Sequence, residues 1–434
     1  MKIAMVAFGS TGDVRPYSFL GKELQRRGHK VTVYSTSEFQ DMMESVGLGF
    51  HAIPGDAKEL MANLMRPDVK GIGFITQFVK SAKKIRDPLL EDLLESTRDA
   101  ECMIATFFVH VFSTIAEYHK IPYIQTQYFM MDPNGSVPIA AAPLQRLKSK
   151  AWSKTTYNVG HLTMNLLEKH YMDDWRIAHG LPALKVQKGP GYELNGHTVP
   201  VLYAMSPLTM PRPTGWPDNI HMTGYWLSDE NDVSDYVPSP ELKAFLDAGD
   251  PPVYVGFGSM VSGDMKDFFA EVMEGIRLSG ERAILGKGWA DIDLPNDNPN
   301  LFIADFVPHT WLFPRVKAAI HHGGAGTLAA GICAGLPTLV VPFGGDQPFW
   351  ANRVRQLGIG PAPIPRNRLT AKLLSKRIHE LVNERRFRVA VKELGLRLAM
   401  EDGVVNAANI IEHELRKYLR EEGRSPVLVK TEDM

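Results

Sequence analysis

The chain has 434 residues, with 48 Lys and Arg against 49 Asp and Glu and only two cysteines. Such a length is too great for one ordinary domain and suits two of about 200 residues, each able to bury a core. The balanced charge offers no global field for nucleic acid, and two cysteines that each adjoin an apolar run fit a reducing compartment, here the cytoplasm, without a disulfide.

Met1-Lys2 leads directly into an apolar strand at 3–8, which leaves no room for a signal-peptide hydrophobic region, and no span approaches 18 apolar residues. Gly9-Ser10-Thr11-Gly12 then turns the chain ahead of Asp13, with a helix expected to begin near 14–16 and to end at Gly28. A strand at 30–34 and a helix at 38–46 stopped by Gly47 continue the alternation, which predicts a parallel, doubly wound sheet. Further strands are expected at 102–105 and 122–125. Phe107, His110, Tyr128 and Met130 follow them and are candidates for an apolar acceptor cleft, a place in the core being the commoner fate of such side chains. The Pro-, Gly- and Ala-rich stretch at 131–143 reads as an irregular loop before helical segments return at 162–179. Between them, Arg146, Lys148, Lys150 and Lys154 surround Trp152; a solvated helix face is the preferred reading, with transient contact to a membrane surface as the alternative. The polar run at 228–240 reads as an interdomain linker.

A second α/β pattern begins with a strand at 253–259 and continues through 282–285 and 301–303 to the stretch 318–353. There a strand at 318–320 meets Gly323-Gly324-Ala325-Gly326, and Thr327 opens a helix of small residues ending near Gly335. A helix start with bare glycine amides in front of it attracts phosphate through its dipole and its unbonded N–H groups, and His321 and His322 add donors beside the turn. A second buried strand at 336–341 ends at Gly344-Gly345-Asp346-Gln347, which places Asp346 and Gln347 at the rim, within reach of a sugar. A nicotinamide fingerprint also fits Gly324, Gly326 and Ala329, but the mostly helical sequence after Gln347 leaves no strands to complete a dinucleotide fold. Asp291 and Asp293 form a D-x-D in a polar loop, which is more often plain loop than a manganese site, and no His or Cys cluster offers another metal site.

Taken singly, these residues keep ordinary alternatives. Asp13 follows a turn at the carboxyl edge of a strand, where open α/β sheets bind ligands, yet from spacing alone a helix cap is the better reading. A lone His such as His322 is more often satisfied structurally than a ligand. Ser259 has a turn role as its alternative, and Asp346 and Gln347 a helix cap.

Together the motifs resemble the inverting GT-B glycosyltransferases of family 1, within the group that contains the sterol 3-beta-glucosyltransferases. His322 to Thr327 resembles the family's H-x-G-x-x-[ST] element; Pro342 to Trp350 resembles the sterol-type PFFGDQPFW segment, with Gly344 for its second Phe. Phe306-Val307-Pro308-His309 falls where the broader family has W-x-P-Q, and Gly9 to Pro16 is similar to its G-[ST]-x-G-D-V-x-P loop. The resemblance implies a GT-B fold of two Rossmann-like α/β domains facing across a cleft: an acceptor domain at 1–227, a linker at 228–240, a nucleotide-sugar domain at 241–400, a helix at 401–420 returning to the first domain, and a polar tail at 421–434. It implies Asp13 as general base. Ser259, His322, Gly324, Gly326 and Thr327 would hold the diphosphate, Phe306, Val307 and His309 the base, and Asp346 and Gln347 the sugar. The implied reaction is metal- and cofactor-independent transfer, with inversion, of a hexosyl group from a UDP-sugar, dTDP-sugars remaining open, to a lipophilic acceptor such as a sterol, polyphenol or polyketide aglycone. A non-catalytic nucleotide-sugar binding protein or a GT-B epimerase would keep the cradle without needing Asp13. Oligomeric state is not readable from these residues.

Overall fold

The computed structural model describes residues 1–56, 72–106, 109–133, 149–186, 192–227, 236–258, 265–288, 297–305 and 307–424, with backbone alone over 72–83 and 109–110. Phe107, Ser259, Phe306, Asp291 and Asp293 lie outside the described residues, as do most of the irregular loop and of the linker; His110 is described by its backbone only. The chain divides into two compact units: the residues up to Trp226 join Asp402 onward in one, and Leu227–Glu401 form the other.

In the first unit, seven parallel strands are ordered β3-β2-β1-β4-β5-β8-β9: β1 (Lys2–Val6), β2 (Lys30–Ser35), β3 (Gly49–Ala52), β4 (Cys102–Thr106), β5 (Tyr123–Gln127), β8 (Val201–Tyr203) and β9 (Ile220–Met222). A two-residue antiparallel pair, β6 (Glu193–Leu194) and β7 (His197–Thr198), stands apart. β1 and β4 are nearly continuous apolar runs because helices cover both faces of the sheet, so alternation has no role there. The helices are α1 (Thr11–Arg26), α2 (Gln40–Glu44), α3 (Ile72–Ser96), α4 (Val109–His119) and α5 (Lys150–Ala178). The chain order reverses between β1 and β4, where Val6 pairs with Tyr34 on one side and Ala105 on the other. That reversal opens a crevice beyond the carboxyl ends of these strands.

Helix α1 begins at Thr11, three residues before the earliest expected start. Ser10 is its N-cap and Asp13 its N3 residue, so Ser-x-x-Asp is a capping pattern and what reads as a turn is already helix. Helix α5 likewise begins well before the expected 162: Ser149 caps it by accepting from the Trp152 amide, and the basic segment becomes its first turns.

In the second unit, five parallel strands are ordered β12-β11-β10-β13-β14: β10 (Val253–Gly256), β11 (Ala283–Gly286), β12 (Leu301–Ala304), β13 (Ala318–His321) and β14 (Thr338–Val340). Its helices are α6 (Pro240–Asp247), α7 (Met265–Ser279), α8 (His309–Leu312), α9 (Ala325–Cys333), α10 (Gln347–Leu357), α11 (Ala371–Asn383) and α12 (Arg385–Leu398). The last linker residues are not loop, since Ser239 caps α6 and Pro240 fills its first position. The order reverses between β10 and β13, where Gly256 pairs with His321 at the strand ends. Phe257, Phe268, Phe269 and Phe343 pack edge-to-face or tilted beneath that point.

The chain closes on α13 (Gly403–Glu421), which lies against α1 of the first unit. Arg27 donates to Asn409 at 2.7 Å and to Glu412 at 3.2 Å, and the His29 ring meets Glu412 at 3.2 Å. Only glycine fits at its start, because a Cβ on Gly403 would stand 2.2 Å from the Tyr225 carbonyl oxygen.

Candidate active site

The first-unit part of the site is built at the switch point. Asp13 Oδ2 accepts from the Ser10 amide at 2.7 Å and from the Ser10 hydroxyl at 2.9 Å, which fixes the carboxylate across the start of α1. Gly9 is obligatory here because a Cβ would come within 2.5 Å of Oδ2. Burial raises the Asp13 pKa above the ordinary carboxylate value, and the Ser10 bonds oppose that shift without cancelling it. The carboxylate is therefore more basic than a solvated one while one oxygen is already anchored.

Tyr128 is buried nearby, close enough to Asp13 for the two to interact electrostatically, with its hydroxyl beside Thr126. Its ring meets Trp226 edge-on at 6.0 Å, and Trp226 also lies 6.4 Å from Tyr17, whose hydroxyl bonds Thr126 at 2.8 Å. Tyr17 and Trp226 are absent from the sequence-derived site; their pairing with Tyr128 joins segments far apart in the chain, and no local spacing announces it. Met130 is 4% exposed and its carbonyl accepts from Tyr157. That is the core placement, not a cleft lining.

In the second unit, β13 delivers the cradle. Gly323 adopts φ +97°, and a Cβ there would strike Val340 at 2.6 Å, so both backbone and packing require glycine. Gly324 caps α9, and the first intrahelical bond runs from the Leu328 amide to the Gly324 carbonyl. The amides of Ala325, Gly326 and Thr327 precede that bond and point out of the helix start. A Cβ on Gly326 would meet open space, so packing does not demand this glycine; its bare backbone suits close approach by an anion.

The two histidines part company. His321 is fully buried and its Nδ1 accepts from the Gly323 amide at 2.9 Å, so it holds the turn through that nitrogen while its Nε2, which then carries the proton, has no partner among the described residues. His322 lies between two glycines: Cβ atoms on Gly258 and Gly324 would stand 3.1 and 2.5 Å from its ring. Burial lowers its pKa to about 4, with the Gly256 backbone opposing, and burial likewise holds that of His321 well below the ordinary histidine value. His322 is thus neutral at physiological pH and can offer a ligand a hydrogen bond but not a positive charge.

The expected rim residues differ from expectation. Gln347 is 4% exposed, and its Oε1 turns inward to accept from the amides of Phe343 at 2.7 Å and Gly344 at 3.3 Å. Its carbonyl is committed to the loop because that tight turn leaves two amides without a backbone partner to satisfy. Asp346 occupies the N-cap position of α10, half-buried, and accepts from the Trp350 indole at 2.9 Å instead of capping the helix. His309 opens α8 with its ring stacked on Phe313 and its Nε2 3.1 Å from the Tyr254 hydroxyl; Val307 packs partly buried against the same cluster. Among the described residues there is no group of His, Cys, Asp and Glu able to hold a metal ion.

Residues 3–133 match the glycosyltransferase family 28 N-terminal domain, and residues 289–406 match the erythromycin biosynthesis protein CIII-like C-terminal domain. The chain is 33% identical over 446 residues to a sterol 3-beta-glucosyltransferase of Candida albicans, covering 99% of this chain and 28% of that protein. It is 32% identical over 422 residues to a sterol 3-beta-glucosyltransferase of Arabidopsis thaliana, covering 94% and 64%. It therefore spans less than two thirds of either relative. Solved structures with the same fold include the glycotransferase of kitacinnamycin, at TM-score 0.69 and 20% identity with 95% and 98% covered. The glycosyltransferase VinC in complex with dTDP follows at TM-score 0.65 and 17% identity, with 96% and 100% covered.

Proposed function

Because the chain belongs to the GT-B glycosyltransferases, we propose that it transfers a hexosyl group, glucose from UDP-glucose, to a hydroxyl of a small lipophilic acceptor with inversion at the sugar carbon. The observation that carries this reading is Asp13: a carboxylate anchored through one oxygen, made more basic by burial, at the carboxyl edge of β1. Its other oxygen takes the acceptor proton as the hydroxyl attacks the anomeric carbon, and the bond to the diphosphate breaks in the same displacement. The amides at the start of α9 and neutral His322 take up the charge of the departing diphosphate, which is the task a metal performs elsewhere. Asp346 is assigned to the sugar hydroxyls, and Gln347 holds the loop that presents it. Val307 and the backbone of His309 are assigned to the nucleotide base.

The sterol relatives, glucosyltransferases by name, support a lipophilic acceptor and a glucosyl donor; the dTDP-bound neighbour makes dTDP-sugars the comparison for UDP-glucose. The experiment incubates the protein with UDP-glucose or dTDP-glucose and a panel of sterol, polyphenol and polyketide aglycones, with mass detection and NMR of the anomeric linkage. A β-linked product that forms in EDTA and is lost in Asp13→Asn is expected. An α-linked product, or activity abolished by EDTA and restored by manganese, would overturn the mechanism. Donor binding without transfer to any acceptor would favour a nucleotide-sugar binding protein.

A further inference from the structure

The hydroxyl of Tyr254 is carried to the carboxyl edge of the second sheet across two bare positions. Tyr254 and Gly256 stand two apart on β10 and so share a face, and Gly256 pairs with Gly286 of β11. A Cβ on Gly256 would come within 2.1 Å of the Tyr254 oxygen and 2.5 Å of the ring carbon that bears it, while one on Gly286 would touch the same oxygen at 3.4 Å. The ring therefore lies along its own strand over a shelf of glycine, and its oxygen reaches the last residue of β10. Glycine inside strands costs stability, which sets this tyrosine apart from ordinary core filling.

At that edge the oxygen meets His309 Nε2 at 3.1 Å, its one hydrogen-bond partner among the described residues. Burial pushes the Tyr254 pKa up, so the hydroxyl keeps its proton, and a buried O–H needs an acceptor. Tyr254 thus donates, Nε2 accepts, and the His309 proton is assigned to Nδ1. The imidazole is also stacked on Phe313 at 4.4 Å and meets the Tyr254 ring edge-on at 5.3 Å, so it is held from two sides as well as by the bond. It is close enough to His321 for the two to interact electrostatically, which puts it beside the strand that delivers the cradle.

We propose that Tyr254 is a positioning residue for nucleotide binding: its hydroxyl fixes the tautomer and orientation of the His309 ring, and through the ring the stretch of backbone that grips the base. The inference rests on the assignment of Val307 and the His309 backbone to the base, and it names the group that holds them in place. A phenylalanine would fill the same space on the glycine shelf without reaching His309, so the hydroxyl is the part that acts.

The test is Tyr254→Phe, which keeps the ring and removes the hydroxyl alone. Affinity for UDP by calorimetry should fall about three- to tenfold, the effect of one hydrogen bond, and KM for UDP-glucose should rise by the same factor with kcat unchanged. Binding of inorganic pyrophosphate, whose contacts are to the cradle, should not change. Long-range proton–nitrogen spectra should show His309 as the Nδ1–H tautomer in the wild type and move toward Nε2–H in the variant, a signature that packing alone does not produce. Unchanged UDP affinity, an equal loss for UDP and pyrophosphate, or an unchanged tautomer overturns the proposal. A wild type that binds pyrophosphate but not UDP would overturn the assignment of the base, and the proposal with it. If Tyr254→Phe does not fold, His309→Gln and His309→Ala give the same decision. Glutamine can accept from the Tyr254 hydroxyl and should keep UDP affinity within about threefold, whereas alanine should lose about as much as Tyr254→Phe; equal affinities in the two overturn the proposal.

Discussion

Asp13 caps α1 through one oxygen and, in the proposed mechanism, takes the acceptor proton on the other, and substitutions should separate the two tasks. Asparagine can still accept from the Ser10 amide, so Asp13→Asn should keep its melting temperature and donor affinity while turnover falls about 100-fold or more. A fall in melting temperature of several degrees would show that the carboxylate is chiefly a cap. His322→Ala removes the donor proposed for the leaving group, with an expected cost of about 2 to 4 kcal/mol in kcat/KM; unchanged kinetics would make the ring a spacer between Gly258 and Gly324. Glu168 supplies an independent check on burial energetics. Desolvation raises its pKa to about 8, beside Tyr123 and Tyr192, so its carboxyl is protonated in the fold at neutral pH. The unfolded chain releases that proton from about pH 4.5 upward, and stability is lost as pH rises toward 8. Glu168→Gln should therefore raise the melting temperature at pH 8 and change it little at pH 4.5.

At the scale of elements, the loop between β14 and α10 makes the two rim residues unequal. Asp346→Ala should weaken the nucleotide sugar more than the bare nucleotide diphosphate, each hydrogen bond being worth about 0.5 to 1.5 kcal/mol. Gln347→Ala releases the Phe343 and Gly344 amides and should weaken both ligands alike; calorimetry on the two distinguishes the patterns. This difference was not legible in the sequence. The cradle was, because strand, glycines and helix start follow one another within a few residues, and local backbone rules decide their geometry. The inward turn of Gln347 depends on which amides a loop leaves unsatisfied, and the burial of Tyr128 against Trp226 on contacts between distant segments. Neither has a local signature. The late placement of the α1 start has a simpler cause: Ser10 and Asp13 are spaced for a capping box, but the flanking glycines favour a turn reading.

For the whole molecule, the two units should respond differently to acid and to ligand. The buried, neutral His321 and His322 belong to the second unit, with pKa values below the ordinary 6.5 of histidine. The contribution of His322 is fully present above about pH 6.5 and is lost as pH falls toward 4, where the unfolded chain binds a proton that the fold excludes, at roughly 1.4 kcal/mol per pH unit, and His321 acts in the same direction. Calorimetric scans should show the second unit losing stability over that interval and UDP-glucose restoring it selectively. The first unit, meanwhile, is not contiguous: its sheet is complete by Met222, but α13, which covers α1, comes only after Leu227–Glu401. On the ribosome, therefore, the first unit waits roughly 10 to 40 s at ordinary elongation rates, holding an uncovered helix face, while the second is made. A nascent chain stalled before residue 402 should carry a protease-resistant second unit beside a first unit that chaperones still recognise, the reverse of the usual order in which the N-terminal domain matures first.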